Sequence, residues 1–267
     1  MGAAAKLGNE KWHHSVRVLM NKILEFLKEQ KSLKLKGSLY HFTQIKFAYN
    51  TNRIEGSLLS EDQTRYIYET NTLSVGEQET VNVDDIMETV NHFRCFDYMI
   101  ETAEKPLSEA IIKEYHKLLK QSTSDSGKDW FKVGDYKSLP NMVGGLETAS
   151  PSKTKRAMRE LLTNYLKLET IGISEIIDFH YNFEIIHPFQ DGNGRVGRLI
   201  MFKECLKNNI IPFIIEDKNK YFYYRGLKEY KTTPGYLRDT CLSAQDSYKE
   251  TLKYFETGKA KKGKHCA

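Results

Sequence analysis

The stretch HPFQDGNGRVGR occupies positions 187–198 and places a histidine one loop ahead of a glycine-rich turn and two arginines. Pro188 disfavours helical geometry in the residue before it, which predicts that an upstream helix ends at His187. The Gly-Asn-Gly triplet that begins at Gly192 tolerates unusual dihedral angles, so several backbone N–H groups can converge on one point. Apolar residues then recur at helical spacing, which predicts a second helix starting near Gly194.

The same stretch has the composition of an anion site. Free N–H groups at the start of a helix, together with its dipole, attract negative charge. Arg195 and Arg198 are three residues apart on one side of that helix, which suits a polyphosphate better than a single carboxylate. Asp191 is an acid among these cations, and a role in sharing Mg²⁺ or Mn²⁺ with phosphate oxygens explains it. His187 is then placed to take a proton from an attacking hydroxyl group.

A competing interpretation treats positions 192–197 as the G-x-G-x-x-G motif of a dinucleotide-binding fold. The segment FEIIHPF would be the first strand, positions 210–215 the second, and Glu216 the ribose ligand. The polar pair Gln190-Asp191 argues against it, because the apolar strand should run directly into the first glycine. The upstream residues also fit a helical period better, and no further strand–helix–strand units are present.

The rest of the chain is dominated by helical periodicity, for example in the series Val16, Met20, Ile23 and Leu27. Ser108 follows Pro106 and suits a helix N-cap. The segment from Gly134 to Ser150 differs, because it carries two adjacent glycines between short apolar pieces and predicts a β-hairpin or flap. The expected fold class is therefore all-α, with one small hairpin.

Composition limits the classes of protein to consider. No apolar run reaches the roughly 18 residues that a membrane span needs, and no secretory signal is evident. Cys95, Cys205, Cys241 and Cys266 form no C-x-x-C pair, which favours a reducing cytoplasm over a disulfide framework or a zinc site. Four lysines in the last nine residues supply most of the formal charge of +5, so nucleic acid is not expected as a partner.

The chain resembles the Fic domain family. HPFQDGNGRVGR matches the family signature H-P-F-x-[D/E]-G-N-[G/K]-R-x-x-R at every fixed position, and the flap, the Pro212–Ile215 segment and the aromatic pair Tyr221-Phe222 extend the likeness over about residues 85 to 245. The resemblance implies a compact Fic-type helical bundle with a β-hairpin flap. It also implies transfer of AMP from ATP to a Ser, Thr or Tyr hydroxyl of a target protein, with Mg²⁺ and release of pyrophosphate. Gly194 replaces the lysine of the phosphorylating branch, which favours AMP transfer.

The resemblance assigns roles that agree with those reasoned from the residues. His187 would be the base, Asp191 would hold the metal, and the flap would align the target chain by strand addition. Arg195 would contact the β-phosphate region and Arg198 the γ-phosphate. The nucleotide-binding set that it implies is Val143, Gly144, Gly145 and Leu146 of the flap, Asp191, Gly192, Asn193, Gly194, Arg195, Val196, Gly197 and Arg198 of the signature, and Tyr221 near the adenine.

A second motif, Thr51-Asn-Arg-Ile-Glu55-Gly56, is similar to the inhibitory motif [S/T]-x-x-x-E-[G/N] of the family class with an N-terminal inhibitory helix. By that resemblance Glu55 would pair with Arg198 and keep ATP from binding productively. A helix that merely ends at Gly56 is the plainer alternative. Two other functions stay open: removal of AMP from modified proteins with the help of Glu55, and a non-catalytic nucleotide-binding regulator.

The predicted organisation has three parts. Residues 1–84 form an N-terminal helical region with the inhibitory motif at 51–56, and residues 85–245 form the Fic core with the flap at 134–150 and the signature at 187–198. Residues 246–267 comprise the end of a C-terminal helix and a basic, disordered tail. Expected partners are ATP and a target protein with an exposed hydroxyl, and family precedent favours a homodimer.

Overall fold

A computed structural model describes residues 23–76, 80–143 and 146–256, with the backbone alone at 146 and 147. Within these residues the chain forms ten α-helices, as the sequence predicts. They are α1 Ile23–Ser32, α2 Leu39–Ile54, α3 Glu61–Thr70, α4 Val83–Thr102, α5 Glu109–Lys120, α6 Pro151–Leu166, α7 Ile173–Ile186, α8 Asn193–Lys207, α9 Lys220–Glu229 and α10 Gly235–Glu256. Short 3₁₀ turns lie at Ser124–Gly127 and Asp217–Asn219.

Several helices begin where a side chain can satisfy their free N–H groups. Ser38, Ser60 and Ser108 each accept a hydrogen bond from the backbone three residues on, and the prediction for Ser108 is confirmed. Ser60 also forms a capping box with Gln63. Pro151 is the first residue of α6, a position at which a backbone N–H has no partner within the helix, so its absence costs no hydrogen bond. Local sequence therefore fixes the start of these helices.

Helix α8 lies at the centre of the core. Val196, Leu199 and Phe202 are fully buried, and the ring of Phe202 lies 5.3 Å from that of Phe47 in α2. The residues from Asn193 to Leu206 are all buried, so α8 buries every side of the helix and has little amphipathic character. Because Phe47 precedes position 84 and Phe202 follows it, the predicted N-terminal region and the predicted core share one hydrophobic cluster. The predicted boundary after residue 84 falls in the first turn of α4.

The sheet in the described part of the chain has two antiparallel strands, β1 Met142–Val143 and β2 Leu146–Glu147. This hairpin is the predicted flap, although its strands are much shorter than the 134–150 segment. Gly144 and Gly145 lie outside the described residues. The dinucleotide-binding interpretation is wrong: its proposed first strand is the end of helix α7, and positions 210–215 form no strand.

The predictions about membrane spans, cysteines and the chain termini concern residues that the structure describes only in part. Among the helices described, none is both long enough and apolar enough to cross a membrane. Cys95, Cys205 and Cys241 are buried free thiols. Cys266, the basic tail from position 257 and residues 1–22 lie outside the described residues.

Candidate active site

The predicted base, His187, is held at the end of α7 in an unusual backbone conformation. It is the C-cap of that helix with φ 49° and ψ 64°, which is the left-handed region. Pro188 disfavours continuation of the helix, as predicted, and the His187 N–H still donates to Phe183 O at 2.9 Å. Positive φ in a residue with a side chain is uncommon and tends to occur at functional sites. The turn leaves the ring 17% exposed, at the edge of the site.

The loop after His187 is closed by its own side chains. Asn193 accepts a hydrogen bond from the Phe189 N–H and donates one to Phe189 O, both at 2.8 Å. Phe189 is fully buried and stacks on His116, with 4.0 Å between ring centroids. The Asn193 side chain is therefore hydrogen-bonded within the loop through both its oxygen and its nitrogen. What this part of the chain offers to an anion is the set of backbone N–H groups at the start of α8.

Arg198 is buried, and its guanidinium contacts residues of the last turn of α2 and its C-cap. Its Nη2 lies 2.6 Å from Glu55 Oε1 and 3.2 Å from Thr51 O, and its Nε donates to Thr51 Oγ1 at 2.7 Å. Tyr223 Oη lies 3.5 Å from Nη1. Burial opposes the charge of Arg198, but the Glu55 carboxylate raises the pKa of the guanidinium. Two motifs that are 143 residues apart in the chain thus meet in one ion pair, at the positions that the sequence singles out.

The Glu55 carboxylate also covers the start of α8. A Cβ atom added at Gly194 would collide with Glu55 Oε1, so the carboxylate lies directly over the first turn of the helix. Glu55 is the C-cap of α2, and Gly56 follows it with φ 106°, a conformation that favours glycine. A side-chain carboxylate therefore lies where the helix dipole and the free N–H groups attract an anion.

Asp191 and Arg195 belong to a second group of charges. Arg195 Nη2 lies 3.3 Å from Asp191 Oδ2, and Lys120 Nζ lies 2.6 Å from the same oxygen. Burial would raise the pKa of Asp191, but Arg195 and Lys120 hold it well below its usual range. Glu88 completes the group by pairing with both Lys120 and Arg195. Asp191 is thereby kept ionised.

Comparison with known proteins agrees with this geometry. Residues 106–205 match the Fic/DOC family, and this range holds both His187 and the two signature arginines. The chain contains a Fic domain. The predicted likeness covers about residues 85 to 245, and the family match lies within that range and begins just before α5.

Named relatives of the Fic domain include a probable protein adenylyltransferase of Aquifex aeolicus, 30% identical over 147 residues, or 51% of this chain and 43% of the relative. A protein adenylyltransferase of Caenorhabditis elegans is 25% identical over 197 residues, or 69% of this chain and 36% of the relative. A crystal structure of a Fic-domain signaling protein from Bacteroides thetaiotaomicron superposes with a TM-score of 0.65, 25% identity and 90% coverage of both chains. The chain spans less than half the length of these curated relatives.

The flap of the Fic domain is attached to the turn that carries His187. Lys137 Nζ donates to Asn141 Oδ1 and Thr148 Oγ1, both at 2.6 Å, and to Ile186 O at 3.2 Å. The Lys137 N–H also donates to Pro188 O at 2.9 Å. One buried lysine thus joins both stems of the flap to the end of α7.

The surroundings of His187 favour its neutral form. Burial, and then the positive charge of Lys137, lower the pKa of His187 to about 4. Glu184 lies one turn earlier with Oε2 3.7 Å from His187 Nδ1, and burial raises the pKa of this carboxyl to about 8. A neutral imidazole at physiological pH is the form that accepts a proton.

Other predicted residues serve the packing of the site or lie at its rim. Val196 is fully buried, and a Cβ at Gly197 would lie 2.7 Å from Glu184 Oε1, so both allow α8 to pack closely on α7. Val143 is 38% exposed on the flap, where Leu146 contributes its backbone to the pairing. Tyr221 is 76% exposed, and it is the neighbouring Tyr223 that reaches Arg198.

Few oxygen donors surround the position predicted to hold a metal ion. Asp191 is ionised and its side chain is 47% exposed, so one carboxylate is available. Across the described residues no group of three His, Cys, Asp or Glu side chains could hold a metal ion. Mg²⁺ is commonly bound by one or two carboxylates plus substrate phosphates rather than by an all-protein cage. Asp191 therefore fits a cation that arrives with a polyphosphate.

Proposed function

We propose that this chain transfers AMP from ATP to a Ser, Thr or Tyr hydroxyl of a protein, and that Glu55 restrains the reaction. The observation that carries the proposal is the position of the Glu55 carboxylate, paired with Arg198 over the start of α8. The arginine and the helix start that hold this carboxylate are groups that also bind phosphate. The adenylyltransferase names of the relatives support the type of reaction.

The chemistry follows from the order of groups along the site. His187 takes the proton of the target hydroxyl, and the oxygen attacks the α-phosphorus of ATP. The bond from that phosphorus to the bridging oxygen breaks, and pyrophosphate leaves with the electron pair. Arg195, Arg198 and the first N–H groups of α8 hold the phosphate oxygens and stabilise the charge that develops on them. Mg²⁺ held by Asp191 would neutralise further phosphate charge.

The flap is proposed to align the target. Its strands are short and Met142 is 64% exposed, so an extended segment of a target can pair along the hairpin. Because Lys137 joins both stems to Ile186 O and Pro188 O, such a segment would be held at a fixed distance from His187.

The proposal is tested by the intact mass of purified protein after incubation with ATP and Mg²⁺. Glu55→Gly is expected to gain one AMP residue, by modifying itself or an added acceptor protein, while Glu55→Gly/His187→Ala gains none. A gain of one phosphoryl group would replace AMP transfer by phosphate transfer. ATP binding without a covalent product on any acceptor would leave a nucleotide-binding regulator as the function.

A second candidate function is removal of AMP from a modified protein. The Glu55 side chain is 27% exposed, so it can meet a water molecule as well as Arg198. Here Glu55 would orient the attacking water and His187 would protonate the leaving hydroxyl. With a pre-modified target, Glu55→Gly should then release no AMP, whereas the transfer function alone predicts no release from either protein.

The acid limb of the pH profile is expected at an unusually low pH. Burial and Lys137 lower the pKa of His187 to about 4, and the charge of Glu55 raises it, so Glu55→Gly lowers it further. The base is active when neutral, so kcat/KM of Glu55→Gly should stay level as pH falls from 7 to about 5. Initial rates in buffers of constant ionic strength measure this. A limb centred near 6.5 would contradict the buried, neutral base.

A further inference from the structure

Two side chains that no motif includes, the buried Lys120 and the partly buried Glu88, hold the half of the site that contains Asp191. Lys120 is the last residue of α5 and is 2% exposed, and Glu88 lies in α4 with a side chain 14% exposed. Lys120 Nζ lies 2.6 Å from Glu88 Oε1 and 2.6 Å from Asp191 Oδ2. Arg195 pairs with the other oxygen of Glu88 and, at 3.3 Å, with Asp191 Oδ2.

These contacts close a ring in which two cations alternate with two carboxylates. Its charges cancel formally, which offsets part of the cost of burying the two cations, Lys120 and Arg195. Asp125 Oδ2 lies a further 3.5 Å from Lys120 Nζ. The Lys120 ammonium thus stands between carboxylate oxygens, which is the environment that a divalent cation prefers.

This arrangement affects how readily Asp191 would bind a divalent cation. The Asp191 oxygen that faces the protein already has two cationic partners, so its charge is largely compensated before any metal arrives. A divalent ion approaching without phosphates would add positive charge beside Lys120 and Arg195, with one carboxylate to bind it. An ion bound to ATP brings phosphate oxygens as ligands and negative charge for both cations.

We propose that Lys120 is a positioning residue that makes the binding of a divalent cation at Asp191 depend on nucleotide. Lys120 holds Asp191 in place and supplies the charge that a metal would otherwise supply in the nucleotide-free site. Glu88 fixes Lys120 relative to Arg195. The inference rests on the proposed use of Asp191 toward a divalent cation.

Binding of Mn²⁺, followed by electron paramagnetic resonance of the free ion, tests this role without any turnover. All proteins carry Glu55→Gly, so that nucleotide can enter, and each is titrated with and without a non-hydrolysable ATP analogue. The parent should bind Mn²⁺ at least tenfold more tightly with the analogue than without it. Lys120→Met should tighten nucleotide-free binding about tenfold, because the competing ammonium is gone.

Matched variants separate this role from a structural one. Lys117→Met lies one turn earlier on α5 with its side chain 58% exposed, and it should leave Mn²⁺ binding unchanged. Lys120→Arg keeps the charge and should bind Mn²⁺ like the parent. Lys120→Gln also removes the charge and should show the same tighter Mn²⁺ binding, so it replaces Lys120→Met if the methionine variant does not fold. Asp191→Asn added to Lys120→Met should reverse the gain.

The outcome is independent of the proposed reaction. Folded Lys120→Met and Lys120→Gln proteins that bind Mn²⁺ no more tightly than the parent would overturn the inference, even if AMP transfer is established. The expected gain in nucleotide-free binding would uphold it even if no AMP is transferred.

Discussion

Glu55→Gly binds ATP at least tenfold more tightly than the unmutated protein: this is the result expected from the contact over α8. Glu55 Oε1 lies 2.6 Å from Arg198 Nη2 and covers the first turn of the helix. A phosphate group cannot share that position with a carboxylate, because the two anions repel and compete for the same donors. Close charge pairs have measured couplings of about 1.5–7 kcal/mol, and about 1.4 kcal/mol corresponds to a factor of ten.

Calorimetric titration with a non-hydrolysable ATP analogue and Mg²⁺ measures the change. Glu55→Gln separates charge from size, since it keeps the side-chain volume and should retain most of the gain. Glu61→Gln is the control for loss of a glutamate, because Glu61 pairs with Lys46 at 3.4 Å, away from Arg198. Equal affinity in Glu55→Gln, Glu55→Gly and the unmutated protein would show that the carboxylate does not exclude nucleotide. If AMP transfer still rose, Glu55 would act on the alignment of the α-phosphorus instead.

His187→Ala in the Glu55→Gly background is expected to slow AMP transfer by a factor of about 10²–10⁴, the usual contribution of a positioned general base. ATP affinity should be unchanged, because the proposed mechanism assigns the phosphates to α8 and the two arginines and not to the imidazole. Single-turnover transfer to an acceptor protein gives the rate, and titration with the analogue gives the affinity. Loss of both together would mean that His187 supports the nucleotide site rather than the proton transfer.

The parts of the site that the sequence predicted are those set by local rules. Pro188 disfavours helical geometry in the residue before it, so the end of α7 at His187 follows from the His187-Pro188 dipeptide. The glycines at 192 and 194, followed by apolar residues at helical spacing, similarly predict the start of α8. The pairing of Glu55 with Arg198 was expected only through a family resemblance, since no local rule links residues so far apart in the chain.

What the sequence did not predict depends on tertiary contacts. Lys120 is the last residue of an amphipathic helix and looks like an ordinary solvated cation there; only the packing of α5 against α4 and α8 brings it to Asp191. The resemblance singles out Tyr221, but helical phase turns Tyr223 inward toward Arg198 and leaves Tyr221 exposed. The bonds between the Asn193 side chain and Phe189 are another tertiary detail of this kind, and they leave the Asn193 backbone N–H at the start of α8.

The burial of α2 limits how Glu55 could leave Arg198 to admit a nucleotide. Twelve of its sixteen residues are buried, including Phe47 in the shared core, so the helix that presents Glu55 cannot leave without unfolding the protein. In the proposed function the Glu55 carboxylate would therefore be a tethered inhibitor, whose effective concentration at Arg198 is set by the fold and not by the amount of protein. Dilution should leave the proposed inhibition unchanged, whereas an agent that moves only the last turn of α2 should relieve it.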